Sequence, residues 1–315
     1  MLSPSERYLN YNSILKAHFS QRIQKISING GFTCPNRDGR LGFGGCTYCN
    51  NQTFIPAYCQ STKSVRQQVE EGIAFFHHKY EVQLYFAYFQ SFTNTYSDFE
   101  NLKKIYDEAL AHPQVAGLVV GTRPDCVDGE LLDYFQKLAK KYYVMIEYGV
   151  ESTYNQTLAY INRGHDYQCA ETAIKATAAR GINVAAHLIL GLPAENREKV
   201  LANAARISEL PLTALKLHQL QIVKGTKMAQ QFVAMPEIFH LYSLTEYIDL
   251  CVDFLELTSP KIAIERFISQ SPKELLVAPN WGGVKNFEFN DKLEKRMYER
   301  NSWQGKNFSQ LGQVS

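Results

Sequence analysis

Residues 25–51, KISINGGFTCPNRDGRLGFGGCTYCNN, place a loop rich in cysteine and glycine directly after a short β-like run. Cys34, Cys46 and Cys49 have the spacing C-x11-C-x2-C, and several glycines lie between the first two. Because glycine reaches positive φ without steric cost, this backbone can wrap closely round a bulky group. Loops at the carboxyl ends of parallel strands are also where barrel enzymes place their chemistry. The stretch therefore predicts a metal or cluster site on a β/α scaffold.

Short β-like runs alternate with amphipathic helical stretches along the rest of the chain. Six strands are predicted, at Lys25–Asn29, Val82–Phe89, Gly117–Gly121, Tyr143–Gly149, Ile182–Leu190 and Ala214–Ile222. A further run, Lys261–Ile268, is a candidate seventh strand. Since parallel neighbours need helical crossovers, we expect an α/β fold: an open, partial parallel β/α barrel of about six units with a small C-terminal extension.

The predicted domains are an N-terminal segment (1–24), the barrel (25–225) and a C-terminal extension of helices and strands (226–315). Capping-box spacing marks three helix starts: Ser64 with Gln67, Ser97 with Glu100 and Ser243 with Glu246. Gly181 suits a left-handed cap at the end of a helix that begins near Asp166.

Composition limits the class of protein. The chain has 315 residues, 45% of them hydrophobic, so it can bury a large core. Its net charge of +2 neither marks nor excludes a nucleic-acid binder. There is no apolar run of about 18 residues and no signal-like N-terminus, which predicts a cytoplasmic protein without a membrane span. In that setting the seven cysteines are ligands, catalytic groups or core residues rather than disulfides.

The number of cysteines in the loop bears on the metal. Three thiolates leave one iron of a [4Fe-4S] cluster without a protein ligand, as a catalytic cluster requires, whereas electron-transfer clusters are usually closed by four. Cys59 follows ten residues after Cys49, so a closed four-cysteine zinc site is an alternative. It would make the chain a zinc-stabilised, non-catalytic binding module.

The loop resembles that of the radical S-adenosylmethionine (SAM) superfamily. The wider pattern is similar to the elongator-type and oxygen-independent coproporphyrinogen oxidase-like branch, and more closely to a small bacterial subfamily with a CPNRDG…GGCTYCN loop. The resemblance runs from about Lys25 to Lys224, more weakly through SQSPKELLVAPNW. It implies a [4Fe-4S] cluster on Cys34, Cys46 and Cys49, with SAM as the second cofactor. Reductive cleavage of SAM then gives a 5′-deoxyadenosyl radical that abstracts hydrogen from the substrate.

Residues after the strands match the family's cofactor-binding positions. Tyr48 supplies an aromatic wall. AYFQSFTNTYS takes the place of a glycine-rich segment, with Gln90 and Ser91 offering backbone contacts but departing from its glycines. In VVGTRPDC a glycine stands where the larger branch often has a glutamate, so Thr122 is a candidate replacement. Arg123 and Asp125 are further candidates or simply a structural ion pair.

Two later motifs complete the implied cofactor site. In IEYGVES and INRGH, Glu151 takes the place of a ribose-binding residue and Arg163 that of an arginine that grips the methionyl carboxylate. A buried structural pair between Glu147 and Arg163 is the alternative. In HLILGLPAE, the turn at Gly191 shapes the adenine pocket, and His187 is either a cofactor residue or a core histidine.

The substrate is predicted from resemblance alone. It points to tRNA, at a wobble-uridine side chain, with conversion of carboxymethylaminomethyl towards aminomethyl groups; a small molecule or tetrapyrrole is the alternative. Glu147, Lys216 and His218 are the candidate catalytic residues, provided that they face the barrel interior. A low-potential donor of flavodoxin or ferredoxin type is implied. Basic residues near the C-terminus, interleaved with acidic ones, contact phosphate or form a solvated helix: Lys292, Lys295, Arg296 and Arg300.

Overall fold

The strands are those of a parallel α/β protein. The structure is a computed structural model that describes residues 6–53, 55–77 and 83–308. The strands in that part are β1 (Arg22–Ile28), β2 (Gln83–Phe89), β3 (Val115–Thr122), β4 (Tyr143–Glu151), β5 (Asn183–Leu190), β6 (Ala214–Gln219), β7 (Ile222–Val223), β8 (Ala263–Arg266) and β9 (Leu276–Ala278). Seven of them form one parallel sheet in the order β1-β2-β3-β4-β5-β6-β8. The predicted open, partial β/α barrel is confirmed, and the candidate seventh strand belongs to it.

Helices cover the outer face of this sheet. They are α1 (Tyr11–His18), α2 (Val65–His77), α3 (Phe99–Leu110), α4 (Gly129–Ala139), α5 (Asn155–Tyr160), α6 (Tyr167–Ala178), α7 (Arg197–Ser208), α8 (Lys227–Ala234), α9 (Leu244–Leu257) and α10 (Asn286–Glu299). Their apolar stripes and the outward residues of the strands form one large core, in which Leu102, Tyr106 and Phe135 are buried. The alternation of strand and helix therefore buries both faces of the sheet, as parallel strands require.

The sheet curls without closing. β1 and β8 are its two edge strands, yet Lys25 Nζ on β1 lies 2.6 Å from Glu265 Oε1 on β8. The chain before α1 runs beside β8, where the Ile264 amide donates to the Leu9 carbonyl at 2.8 Å. Tyr11 on α1 is buried, and its hydroxyl donates to that of Tyr143 at the start of β4. Helix α1 thus closes the amino end of the barrel interior.

Some predicted boundaries differ from the structure. The predicted strand Ala214–Ile222 ends at Gln219, because the chain turns and Ile222–Val223 pair antiparallel with β9 instead. Val82, the predicted first residue of the second strand, lies outside the described residues. The capping boxes at Ser64 and Ser243 are confirmed.

The predicted capping box at Ser97 is wrong. Asp98 caps α3 instead, with its carboxylate accepting from the Asn101 amide at 2.9 Å. A carboxylate is an N-cap acceptor as good as a hydroxyl, and the two neighbours offered competing starts one residue apart. The Ser97 hydroxyl accepts only from the side chain of Asn101.

Across the described ranges, none of the helices has the length and apolar character needed to cross a membrane.

Candidate functional site

A cavity opens at the carboxyl ends of the strands, where the loops after β1 to β6 and β8 converge. Cys34, Cys46 and Cys49 line it together. Most of the other predicted site residues line it too: Tyr48, Gln90, Thr122, Glu147, Glu151, Arg163, His187 and His218. Segments that are far apart in the sequence therefore meet in one place, as expected for the carboxyl edge of a parallel sheet.

Three predicted residues lie off the cavity wall. Ser91 is buried behind its neighbours, and Gly191, at φ +94°, packs against the ring of Tyr242. Lys216 faces the barrel interior but is 1% exposed beneath the cavity floor. These three residues would therefore not contact a molecule in the cavity directly and could act on it only through neighbouring residues.

The cysteine loop folds back on itself. The Gly45 amide donates to the Asn36 carbonyl at 2.8 Å, and the Cys49 amide donates to the Cys46 carbonyl at 3.0 Å. Gly44 and Gly45 have φ values of +82° and +83°, a region that residues with a Cβ avoid. This reversal brings Cys46 back beside Cys34.

Nitrogen donors lie close to the Cys46 sulfur and the Cys49 carbonyl. Arg163 Nη1 lies 3.5 Å from Cys46 Sγ, and Asn36 Nδ2 lies 3.7 Å from the same atom. Arg37 Nη2 donates to the Cys49 carbonyl at 2.8 Å. Burial, followed by the nearby Cys46, raises the pKa of Cys49 to about 11, and Arg37 opposes that rise. A bound metal group would hold these cysteines as thiolates, and the nearby nitrogen donors suit a thiolate-ligated cluster.

The arrangement differs from a closed zinc site. Cys59 is buried and is not among the residues of the cavity wall. Within the part of the chain that the structure describes, no three His, Cys, Asp or Glu side chains converge closely enough for a single ion. The fourth thiol of the zinc alternative is therefore in the wrong place.

Arg163 and Glu151 form a pair on the cavity wall. Arg163 Nη2 donates to the Gly149 carbonyl at 2.5 Å and lies 3.7 Å from Glu151 Oε1. Glu151 has a φ of +67°, which turns its side chain from the strand toward the arginine. In the described part of the chain, no group accepts a hydrogen bond from the buried Arg163 Nε. Because a buried unsatisfied donor is costly, this guanidinium is set to receive an acceptor from a bound molecule.

The loop after β3 holds a second arginine. Arg123 makes a bidentate pair with Asp125, at 2.9 and 2.8 Å, so the structural ion pair considered above is present. Arg123 Nη1 nevertheless has no hydrogen-bond partner within residues 6–53, 55–77 and 83–308. The Thr122 hydroxyl lies 2.5 Å from that of Thr95. Donors from β3 are thus held in fixed positions on the cavity wall.

Beneath the cavity, four ionised side chains fill the barrel interior. We call Lys25, Lys216, Glu147 and Glu265 the lumen quartet. Lys216 Nζ lies 2.5 Å from Glu147 Oε2 and 3.1 Å from Glu265 Oε1, while Lys25 Nζ contacts both carboxylates. Burial opposes ionisation of Glu147, but Lys216 and Lys25 outweigh it and hold the pKa of that carboxyl well below its usual range. Glu147 therefore pairs with lysines, and the predicted alternative of a Glu147–Arg163 pair is wrong.

Two histidines lie between the quartet and the cavity. The His187 and His218 rings have centroids 5.3 Å apart, and His187 Nε2 lies 3.1 Å from Glu147 Oε2. Burial lowers the pKa of both, and Arg266 lowers that of His218 further. Both imidazoles are therefore neutral at pH 7, and His187 is a residue of the cavity wall rather than of the apolar core.

Sequence reasoning missed Lys25, Glu265 and Arg266. A β-bulge explains the last two: Leu215 pairs with Ile264, but Lys216 pairs with Arg266, so Glu265 is the extra residue. In a regular strand consecutive side chains point to opposite faces, whereas a bulge re-aims one of them. Glu265 reaches Lys216, and Arg266 lines the cavity. If KIAIER were a regular strand with alternating side chains, only Glu265 or Arg266 would face the interior. The sequence therefore carried no signal that both do.

The chain matches two family models. That of the radical SAM superfamily covers residues 31–207, and that of the Radical_SAM C-terminal domain covers residues 212–299. The YtqA protein of Bacillus subtilis is 33% identical over 310 residues, covering 98% of this chain and 95% of that protein. The YhcC protein of Escherichia coli strain K12 is 34% identical over 268 residues, 85% of each chain.

More distant matches include a protein with a named activity and a solved structure. The tRNA uridine(34) acetyltransferase of Methanocaldococcus jannaschii is 27% identical over 139 residues, 43% of this chain and 25% of that protein. The structure of the archaeal Elp3 of Methanocaldococcus infernus, with an N-terminal deletion, has a TM-score of 0.69. That match covers 93% of this chain and 68% of the other at 15% identity, and so shows a shared fold. With both family models spanning the barrel and its extension, the chain belongs to the radical SAM superfamily and is an enzyme of that superfamily.

Proposed function

We propose that the enzyme binds a [4Fe-4S] cluster through Cys34, Cys46 and Cys49 and uses it with SAM to start a radical reaction on tRNA. The observation that carries the proposal is the shared cavity: three thiols lie on one wall with Arg163, whose buried Nε has no partner. Superfamily membership implies both cofactors and, generally, a reductant. Because the chain is an enzyme, the alternative of a non-catalytic zinc-stabilised module is wrong.

The donor set fits the two cofactors. Three thiols leave one iron open, and Arg163 and Glu151 lie beside Cys46 where a zwitterionic amino acid can be gripped. Cys34, Cys46 and Cys49 would hold the cluster, which when bound would supply the electron for reductive cleavage of SAM. In our proposal the residues hold and orient: Arg163 for the methionyl carboxylate, Glu151 for the ribose hydroxyls, Tyr48 and the backbone near Gln90 for the rest.

The proposed substrate is the side chain of a wobble uridine, in the step from carboxymethylaminomethyl towards aminomethyl groups. The named relatives that act on tRNA uridine 34 support it, although they share only part of the chain. Two of these basic residues give no support: Arg296 of α10 pairs with Asp249 at 2.7 Å, and Arg300, just after α10, pairs with Asp253, which fastens α10 to α9. Lys292 and Lys295 are exposed on α10. A flavodoxin-like or ferredoxin-like donor is proposed as the reductant, since such clusters reach low potentials.

Anaerobic reconstitution tests the cofactor proposal. With iron, sulfide, dithionite and SAM, the wild-type chain should turn brown and form 5′-deoxyadenosine. Cys46→Ala should do neither, while Cys59→Ala, a buried cysteine away from the cavity, should do both. A Cys46→Ala variant that still forms 5′-deoxyadenosine would contradict the proposal. The tRNA step is read separately, by mass spectrometry of nucleosides from tRNA that carries 5-carboxymethylaminomethyluridine.

A further inference from the structure

Arg266 differs from the other arginines of the cavity wall. Arg37 donates to the Cys49 carbonyl, Arg123 is paired with Asp125, and Arg163 lies 3.7 Å from Glu151. Arg266 has no carboxylate partner in the described ranges; its contact there is Nη2 to His218 Nε2 at 3.4 Å. Its buried Nε has no hydrogen-bond partner among the residues that the structure describes. This guanidinium therefore has unused donors inside a cavity.

The balance of charges inside the barrel also singles out Arg266. Within the lumen quartet the two lysines balance the two glutamates. His218, the neighbour of Arg266, is partly buried; desolvation lowers its pKa, so the ring is neutral at pH 7 and provides an acceptor without a charge. The amide of Gln219 and the backbone of Ser269 are occupied with each other at 2.9 Å. The positive charge of Arg266 thus has no carboxylate partner within the described ranges, and burying such a charge is costly unless a counter-ion arrives with a ligand.

The position of Arg266 relates this charge to the cysteines. Arg266 comes from the last strand of the sheet and the cysteine loop from the first, yet both line the same cavity. The β8 bulge puts Arg266 opposite Lys216 and turns it to the interior. A substrate held there by an anionic group would lie in the space that the cysteines also face.

We propose that Arg266 is a specificity-determining residue that binds a carboxylate of the substrate, with His218 holding its guanidinium in place. A planar guanidinium matches a carboxylate in a two-point grip, which a lysine does not reproduce. The identity of the molecule rests on the function proposed above: in a carboxymethylaminomethyl side chain, the carboxylate is the group that the aminomethyl product lacks. Arg266 thus distinguishes substrate from product.

The test compares two tRNAs that differ only in the carboxymethyl group that bears this carboxylate. Each carries either 5-carboxymethylaminomethyluridine or 5-aminomethyluridine at the wobble position, and Kd is measured anaerobically for the reconstituted full chain with SAM. Contacts to phosphate are the same in both tRNAs and cancel in the ratio of the two constants. Wild type should prefer the carboxylate by about 10- to 100-fold, the range for a hydrogen-bonded charged group. Arg266→Gln should bring the ratio close to one, and Arg266→Lys should restore part of it.

Arg180→Gln is the matched control, because this arginine lies on the surface in a pair with Asp133; its ratio should equal that of wild type. Iron content shows whether each variant is folded and loaded. An Arg266→Gln enzyme that keeps the full preference overturns the inference.

A wild type that leaves both tRNAs unchanged and binds them equally refutes the tRNA function instead. A second arm then decides the carboxylate site: stimulation of 5′-deoxyadenosine formation by coproporphyrinogen III, a tetracarboxylate. Stimulation that falls at least tenfold in Arg266→Gln but not in Arg180→Gln supports a carboxylate site for a small molecule. Its absence, or its persistence in Arg266→Gln, overturns the inference.

Discussion

Beneath the cavity, individual side chains carry charges in a place from which water is excluded. Lys216 and Glu147 are at most 1% exposed, and their side chains are 2.5 Å apart. In such a place a complete set of pairs is tolerated, whereas a half-complete set leaves a bare charge. The lumen quartet is therefore sensitive to the loss of any one member.

Lys216→Met tests this sensitivity. It should lower the free energy of unfolding by about 3–5 kcal/mol, because it leaves part of the charge of Glu147 and Glu265 unpaired. Denaturant unfolding of the cluster-free chain measures it. Lys103→Met, which removes an exposed pair with Asp107, should cost about 1 kcal/mol or less. Equal effects of the two substitutions would refute the account of the quartet.

The absence of a side chain at Gly149 leaves room for two charged groups on the cavity wall. A Cβ at this position would lie 2.5 Å from Arg163 Nη2 and 2.6 Å from Glu151 Oε1. Gly149→Ala should therefore displace this pair and weaken SAM binding by about tenfold or more, as loss of a charge-assisted hydrogen bond does. Equilibrium dialysis with SAM gives the affinity. Gly129→Ala, where the nearest atom would be 3.9 Å away, should bind SAM like wild type.

At the scale of elements, helix α9 begins at a complete capping box. The Ser243 hydroxyl accepts from the Glu246 amide, and the Glu246 carboxylate accepts from the Ser243 amide at 2.8 Å. Ser243→Ala should cost about 1 kcal/mol of unfolding free energy, as N-cap losses do. Ser97→Ala should cost less than about half of that, because Asp98 is the cap of α3. A larger loss at Ser97 than at Ser243, in thermal or denaturant unfolding, would contradict both assignments.

The elements differ in how well their sequence predicted them. Strands such as β3 are nearly continuous apolar runs, and this local signal, with the helical stretches between the strands, gave the parallel open barrel. The shared cavity followed, because loops after parallel strands meet at one edge. Lys25 and Glu265 could not be paired in advance, since their contact depends on how far the open sheet curls. The start of α3 was misassigned by one residue because two good caps are adjacent.

At the scale of the whole molecule, the two ends of the described chain close the barrel at its amino end. Tyr11 is buried against β4, and the Gln304 amide donates to the Arg7 carbonyl at 2.9 Å. The interior is thereby sealed below and open above, toward the cysteine loop. His187 and His218 lie on the open side of this interior, at the cavity wall, and connect global stability to pH.

Acidification should destabilise the fold in two stages. The pKa values of His187 and His218 are lowered in the folded state, so below pH of about 6.5 the unfolded chain takes up protons that the folded one excludes. Stability should then fall as pH drops, by up to about 1.4 kcal/mol per pH unit for each histidine. Below about pH 4, Glu147, whose pKa is depressed, loses its stabilising contribution as well.

Denaturant unfolding of the cluster-free chain between pH 7 and pH 5 measures the first stage. His218→Gln should remove up to half of the slope that the two histidines give. A slope unchanged by His218→Gln would mean that this imidazole takes up a proton in the folded state.

The bulge in β8 has a consequence for how such a barrel changes over evolutionary time. A strand of regular pleat presents every second residue to the interior, so either Glu265 or Arg266 would face inward, but not both. Loss of one residue between Ala263 and Arg266 would thus alter the net charge of the interior without replacing any side chain. The charge of the barrel interior therefore depends on the number of residues in β8 as well as on which residues they are. Comparisons of aligned sequences that ignore single-residue gaps would overlook such a change.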